Sequence, residues 1–199
     1  MLVSIKIDFE TYARSKLADY AALAETVATV LRAAISASSQ SFRLQQVQHR
    51  AKDPASLRTK LEARGILATS SLEDEIKDLG GCRLIFYTNS DVSRFLQSGI
   101  ITDNFEVDWD RTKIHHPVPG QTEPDNLFIS NNYVLTLKAD RTSLAEYSRF
   151  KDLRCEVQVQ TTLNHAWAEM QHDILYKRAA LKASEENFLP QSSNAFRRS

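Results

Sequence analysis

The sequence predicts an α/β domain in which a mixed sheet of about five strands is flanked by helices. Three observations carry that prediction. Residues 9–35 place Leu17, Tyr20, Ala24, Val27 and Leu31 at alternating three- and four-residue spacings, with Arg14, Lys16, Asp19 and Glu25 between them, the pattern of an amphipathic helix. Residues 153–160 alternate instead, with Leu153, Cys155, Val157 and Val159 on one face and Arg154, Glu156, Gln158 and Gln160 on the other, as a strand requires. Between these segments helical and extended stretches interleave, without internal repeats or a second domain.

The elements follow in order. The first helix ends in the polar run 36–41, and residues 42–47 read as a short strand leading into Gln48-His49-Arg50-Ala51-Lys52. Asp53-Pro54 starts a helix, with Asp53 as N-cap and Pro54 in the first helical position; it runs to Arg64, where Gly65 stops it. Residues 71–79 read as one short helix, Cys82 to Tyr87 as a mostly buried strand, 91–97 as a second short helix, and 105–109 as an alternating strand. Residues 115–126 carry prolines and a glycine without periodicity and read as a loop, with His115-His116 solvated. Tyr133, Leu135 and Leu137 share one face of a strand, a helix follows over 143–150, and then comes the strand of 153–160. Thr161 caps a last helix to Lys177, with Leu163, Trp167, Met170 and Ile174 on its core stripe. The expected organisation is an N-terminal helix over 1–41 packed on a domain of 42–183, with a flexible tail over 184–199.

A chain of 199 residues that is 42% hydrophobic can bury a core unaided. Its 25 basic and 25 acidic residues cancel, so no long-range field marks it as a nucleic-acid binder. Cys82 and Cys155 lie far apart without a CxxC motif or a nearby Cys/His cluster, so neither a zinc site nor a disulfide framework is suggested and both read as buried thiols. No apolar run approaches a membrane span, and the N-terminus lacks signal-peptide regions; a cytoplasmic protein without a membrane partner is expected.

The chemistry concentrates in three places. Asp78 precedes a strand through Gly80-Gly81, a pair that permits close backbone approach or positive φ. Glu156 lies on the polar face of another strand. Arg43, Arg50, Lys52, Arg58 and Lys60 surround the helix start at Asp53, the one acid among them. Each feature alone has an ordinary reading as a turn residue or a solvated face. Together, two carboxylates and cations at a helix start are what holding Mg²⁺ and a polyphosphate requires. His165, Glu169 and His172 share a helix face with Tyr176, but E-x-x-H occurs once where a di-iron bundle needs two, so this reads as a packed or hydrogen-bonded polar face.

From about Arg43 to Lys177 the chain resembles the RelA/SpoT-type alarmone synthetase family. Arg50-Ala51-Lys52, with Ser56 and Lys60 beyond, is similar to the family's R-x-K…S…K segment; Asp78-Leu79-Gly80-Gly81-Cys82-Arg83 is similar to D-x-x-G-x-R; Glu156-Val157-Gln158-Val159-Gln160-Thr161 is similar to E-[IV]-Q-[IV]-R-T, followed by a helix ending in Tyr176-Lys177. The resemblance implies a nucleotidyltransferase-like fold and transfer of the β,γ-pyrophosphate of ATP to a ribose 3′-hydroxyl, usually of GDP or GTP. It implies that Arg50 and Arg83 sandwich the adenine, that Lys52, Ser56 and Lys60 hold the phosphates, and that Asp78 and Glu156 bind Mg²⁺. Glu156 would also assist deprotonation of the 3′-hydroxyl, and Gln158 would orient its neighbours. The acceptor loop G-Y-x-S-x-H has its best match in Leu127-Phe128-Ile129-Ser130-Asn131-Asn132, with Phe128 stacking on a base and Ser130 and Asn132 beside it. Leu127 replaces the glycine, Asn132 the histidine, and Gln160 the usual arginine. These departures leave open an adenosine nucleotide or the tRNA 3′ CCA end as acceptor, the latter served by Arg32, Arg43, Arg58 and Arg64, or a nucleotide-binding regulatory module without turnover. Members of the family also vary beyond the domain, so a homo-oligomer or an antitoxin partner is compatible with the resemblance.

Overall fold

The computed structural model describes residues 6–114 and 131–170. The chain enters through α1 (Phe9–Thr11), a π-helical turn (Tyr12–Lys16) and α2 (Leu17–Ala37), one continuous helical segment. Then come β1 (Leu44–Ala51), α3 (Pro54–Ala63), α4 (Leu72–Glu75), β2 (Gly80–Phe86), α5 (Asn89–Gln97), α6 (Ile100–Asn104) and β3 (Phe105–Val107). After β4 (Asn131–Leu137) follow α7 (Ala139–Thr142), a 3₁₀ turn (Ser148–Phe150) and β5 (Cys155–Thr161), and the last helix, α8, is described over 162–170.

The five strands form one mixed sheet in the order β1-β2-β5-β4-β3, parallel between β2 and β5 and antiparallel elsewhere. The alternation read from the sequence sorts its two faces. Cys82, Leu84, Phe86, Tyr133, Leu135, Cys155, Val157 and Val159 are buried in a core that α2 closes with Tyr20, Leu23, Ala24, Val27 and Leu31. The segment Phe9–Ala37 is, by length and composition, apolar enough to cross a membrane, contrary to the expectation from inspection of the runs. In this structure its stripe serves the core instead. Both cysteines are free, buried thiols, and burial pushes Cys82 up to about 12.

At Gly80 helix and sheet approach closely. A Cβ there would stand 3.1 Å from the Tyr20 carbonyl oxygen, and its φ is not positive, so close packing is what requires glycine.

Several elements differ from expectation. β1 runs through His49 and Arg50 to Ala51, with a bulge between Leu44 and Gln46, because the whole segment pairs with β2. Only Leu72–Glu75 of the 71–79 helix forms; Ile76 is buried as extended chain, Leu79 is buried at a bend, and Asp78 is drawn toward Lys52. Residues 143–150 do not make a helix: Leu144 is exposed and only Phe150 is buried, too small an apolar stripe to hold one. α6 was not anticipated; Gly99, at φ 75°, turns the chain into it. On the polar face of β5, which the alternation expects to meet water or a ligand, Arg154, Glu156 and Gln160 are buried and Gln158 is half-buried. Arg154 is compensated by Asp74 at 3.5 Å, Asp108 at 3.6 Å and Glu73 at 3.8 Å. The expected loop over 115–126, His172, Ile174, Tyr176 and the tail lie outside the described residues.

Candidate active site

The face of the sheet opposite α2 carries a polar row. Strand register aligns Gln48, Arg83, Gln158 and Asn132 across β1, β2, β5 and β4, and a second line, one pleat away, aligns Arg50, Gly81, Glu156 and Val134. Above these rows lies a cleft of about 450 Å³ lined by Gln48, His49, Arg50, Asp78, Gly81, Cys82, Arg83, Glu156, Gln158, His165 and Glu169. Five of the residues singled out from sequence, Arg50, Asp78, Arg83, Glu156 and Gln158, thus meet in one cavity.

A hydrogen-bonded chain runs along its floor. Gln158 Nε2 donates to Glu156 Oε2 at 3.0 Å, and Arg83 Nε donates to Gln158 Oε1 at 3.1 Å. Arg83 Nη1 then donates to Glu169 Oε1 and to His165 Nδ1, both at 3.0 Å. A guanidinium has no acceptor, so in this arrangement His165 presents a bare Nδ1. Sequence reasoning had seen His165 and Glu169 as one polar face without assigning them to Arg83; their i, i+4 spacing was the available signal.

Asp78 and Glu156 sit in different electrostatic settings. Burial pushes Asp78 up, but Lys52 outweighs it through a 2.7 Å contact, helped by Lys60 at 3.7 Å, and holds its carboxyl below the usual range. Burial pushes Glu156 up, and the neighbouring Asp78 charge adds to this, while the hydrogen bond from Gln158 opposes it. Lys52 and Lys60 join the site through Asp78 rather than by lining the cleft. Ser56 lies in the first turn of α3, its N–H donating to the Asp53 cap at 2.8 Å.

The acceptor side is described in part. Asn132 pairs across the sheet with Gln158 and forms a backbone bridge with Lys113. Phe128 and Ser130 lie outside the described residues. Gln160 is buried, and its Nε2 has no hydrogen-bond partner among the described residues. The four arginines considered for a tRNA surface are each tied locally: Arg32 to the Val47 carbonyl at 3.0 Å, Arg43 to Asp91 at 3.4 Å, Arg58 to Glu10 at 3.4 Å and Arg64 to the Glu75 carbonyl at 3.5 Å.

α8 is turned outward from expectation. Leu163 is 69% and Met170 50% exposed, while the opposite face, with His165 and Glu169, engages Arg83.

Residues 49–180 match the region found in RelA/SpoT proteins, about two-thirds of the chain. The chain belongs to the RelA/SpoT family. Its fold is also that of small alarmone synthetase 1 from Bacillus subtilis, at a TM-score of 0.64 and 19% identity, over 85% of this chain and 81% of that one. The complexes of that protein with its product pppGpp and with AMPCPP match at TM-scores of 0.63 and 0.60, each at 18% identity over 85% of this chain, and cover 82% and 80% of theirs. Small alarmone synthetase 2 from the same organism matches at a TM-score of 0.61 and 19% identity, over 89% of this chain and 84% of that one. No curated protein matches the chain. The cleft and both rows of this RelA/SpoT chain fall inside the matched region, apart from Gln48, one residue before it.

Proposed function

We propose that this chain is an ATP-dependent pyrophosphokinase that transfers the β,γ-pyrophosphate of ATP to the ribose 3′-hydroxyl of GDP or GTP. One observation carries the ATP half. Gln48 faces Arg83 and Arg50 faces Gly81, so Arg50 and Arg83 are diagonal neighbours on one face. Diagonal positions across antiparallel strands stand about 7–8 Å apart. That is roughly twice the 3.5 Å contact distance of carbon atoms, the space a planar base needs between two guanidiniums. Gly81, between Arg50 and Glu156 in the register, leaves that floor open.

With the base so clamped, Lys52 and Lys60 exchange their contact with Asp78 for the phosphates, and Ser56 in the first turn of α3 adds a hydroxyl. Asp78 and Glu156 fit Mg²⁺. Both are oxygen donors, and among the described residues no third Asp, Glu, His or Cys completes a cage, which suits an ion that takes one or two carboxylates and shares substrate phosphates. When bound, the ion supplies neutralisation of the charge on the transferring group. Glu156, pushed up by burial, accepts the proton of the 3′-hydroxyl. The 3′-oxygen bonds to the β-phosphorus, the bond to the α,β-bridging oxygen breaks, and AMP leaves. Gln158 and Arg83 join Glu156 in one hydrogen-bonded chain, so positioning is their contribution.

A guanosine acceptor is favoured by the pppGpp complex of the Bacillus protein with the same fold. The arginines considered for tRNA make separate local contacts, with Val47, Asp91, Glu10 and Glu75, rather than sharing one partner. Incubation with ATP and Mg²⁺ against GDP, GTP, AMP, ADP and bulk tRNA, followed by chromatography, tests the reading. AMP release with a pyrophosphorylated guanosine nucleotide is expected. Transfer to tRNA or an adenosine nucleotide alone would overturn the acceptor, and no AMP from any mixture would overturn the activity.

A further inference from the structure

We infer that Tyr12 is a positioning residue of this transfer site, supplied by a segment that precedes the family-matched residues 49–180. The inference rests on the pyrophosphokinase reading for its activity readout and on the contacts of Tyr12 for its substance. Tyr12 opens the π-helical turn between α1 and α2, and no part of it is exposed. Its hydroxyl donates to the Lys52 carbonyl at 2.6 Å and lies 3.2 Å from the Leu79 carbonyl. The Lys52 N–H donates to that same Leu79 oxygen at 2.9 Å.

One hydroxyl therefore ties the chain leaving β1 to the chain entering β2. These are the points from which the Lys52 and Asp78 side chains reach each other at 2.7 Å. A buried phenol needs a partner, and a phenylalanine would fill the same space without one, so the hydroxyl is the informative atom.

The same segment also grips α3, which carries Ser56 and Lys60. The Arg58 guanidinium stacks 4.6 Å from the Phe9 ring centroid and pairs with Glu10 at 3.4 Å, while the Ile7 carbonyl accepts from the Leu72 N–H at 2.8 Å. Every residue assigned to the phosphates is thus on, or adjoins, an element fastened to residues 7–12. Lys52 and Asp78 are held most directly, through backbone whose carbonyls Tyr12 engages.

The test compares Tyr12→Phe with Tyr20→Phe. Tyr20 is an equally buried tyrosine in the same helical segment, but its hydroxyl donates to Glu73. Two quantities are measured for the wild type and both variants: affinity for AMPCPP with Mg²⁺ by calorimetry, and kcat and KM of transfer to GDP. Tyr12→Phe is expected to weaken AMPCPP binding and lower kcat by about tenfold each, the size of effects of outer-shell groups, with KM for GDP unchanged. Tyr20→Phe is expected to lose stability and leave both quantities near wild type. Wild-type behaviour of Tyr12→Phe, or an equal loss in Tyr20→Phe, would overturn the inference. A wild type that binds AMPCPP without transferring would overturn the activity while the affinity comparison still decides the role of Tyr12; a wild type that binds no AMPCPP would overturn both. Should Tyr12→Phe fail to fold, 3-fluorotyrosine at position 12 keeps the hydroxyl, acidifies it and adds one small ring substituent; a shifted AMPCPP affinity is then expected, and an unchanged affinity would overturn the inference.

Discussion

At the residue scale Glu156 and Asp78 stand in opposite electrostatic settings within one cleft. Asp78 is kept ionised by Lys52 and Lys60, whereas burial moves Glu156 toward the neutral form. Glu156→Gln is expected to cut transfer by about 100-fold or more, the range of a lost general base, while the urea midpoint stays at or above wild type because a buried charge has been removed. A near-wild-type initial rate would refute the assignment. Arg83→Lys is expected to raise KM for ATP about as much as Arg83→Ala, because an ammonium neither stacks on a base nor reaches Gln158, Glu169 and His165 together. Restoration of KM by lysine would show that charge alone suffices. That Arg50, Asp78, Arg83, Glu156 and Gln158 come together in one cleft is legible because each stands in a motif whose neighbours declare a strand or a strand entrance. The place of Tyr12 is not, because its hydroxyl meets backbone carbonyls 40 and 67 residues away, and in sequence it is one more aromatic on a helix.

Among the elements, those with a strong period or a cap were readable. α3 begins where Asp53-Pro54 placed it, with the Asp53 carboxylate accepting from the Ser56 N–H. Asp53→Ala is expected to cost about 1 kcal/mol in urea denaturation, and no change would show that tertiary contacts alone hold α3. β5 was legible as a strand from its alternation, but not as a central one. Burial of its polar face depends on β2 and β4 pairing on either side and on counter-charges at Asp74 and Asp108 that no local window contains. The α8 stripe misled for a related reason. Periodicity identifies an apolar face, while the partner of the opposite face, here Arg83, sets where it points.

For the molecule as a whole, the interleaving of helices and strands was enough to predict a mixed sheet, whereas the order β1-β2-β5-β4-β3 follows from pairing over long sequence separations. Stability should carry an acid signature from Asp91, a buried carboxylate that accepts from Thr88 and pairs with Arg94 and with Arg43. The Thr88 hydrogen bond, against the cost of burial and with Arg43 and Arg94 assisting, lowers it from 3.8 to about 2. A depressed carboxylate contributes its stability above the unfolded value of 3.8 and loses it as pH falls through about 2. Urea midpoints measured between these limits should therefore fall less steeply for Asp91→Asn than for wild type; parallel curves would assign the acid loss to other groups. Transfer in the Arg50–Arg83–Glu156 cleft is the central proposal. It is tested most directly by the initial rate at which label passes from γ-labelled ATP to GDP, wild type beside Glu156→Gln. Labelled, pyrophosphorylated guanosine from the wild type and a loss of about 100-fold or more in the variant is the predicted result; equal rates in the two, or label released only as free phosphate, would contradict it.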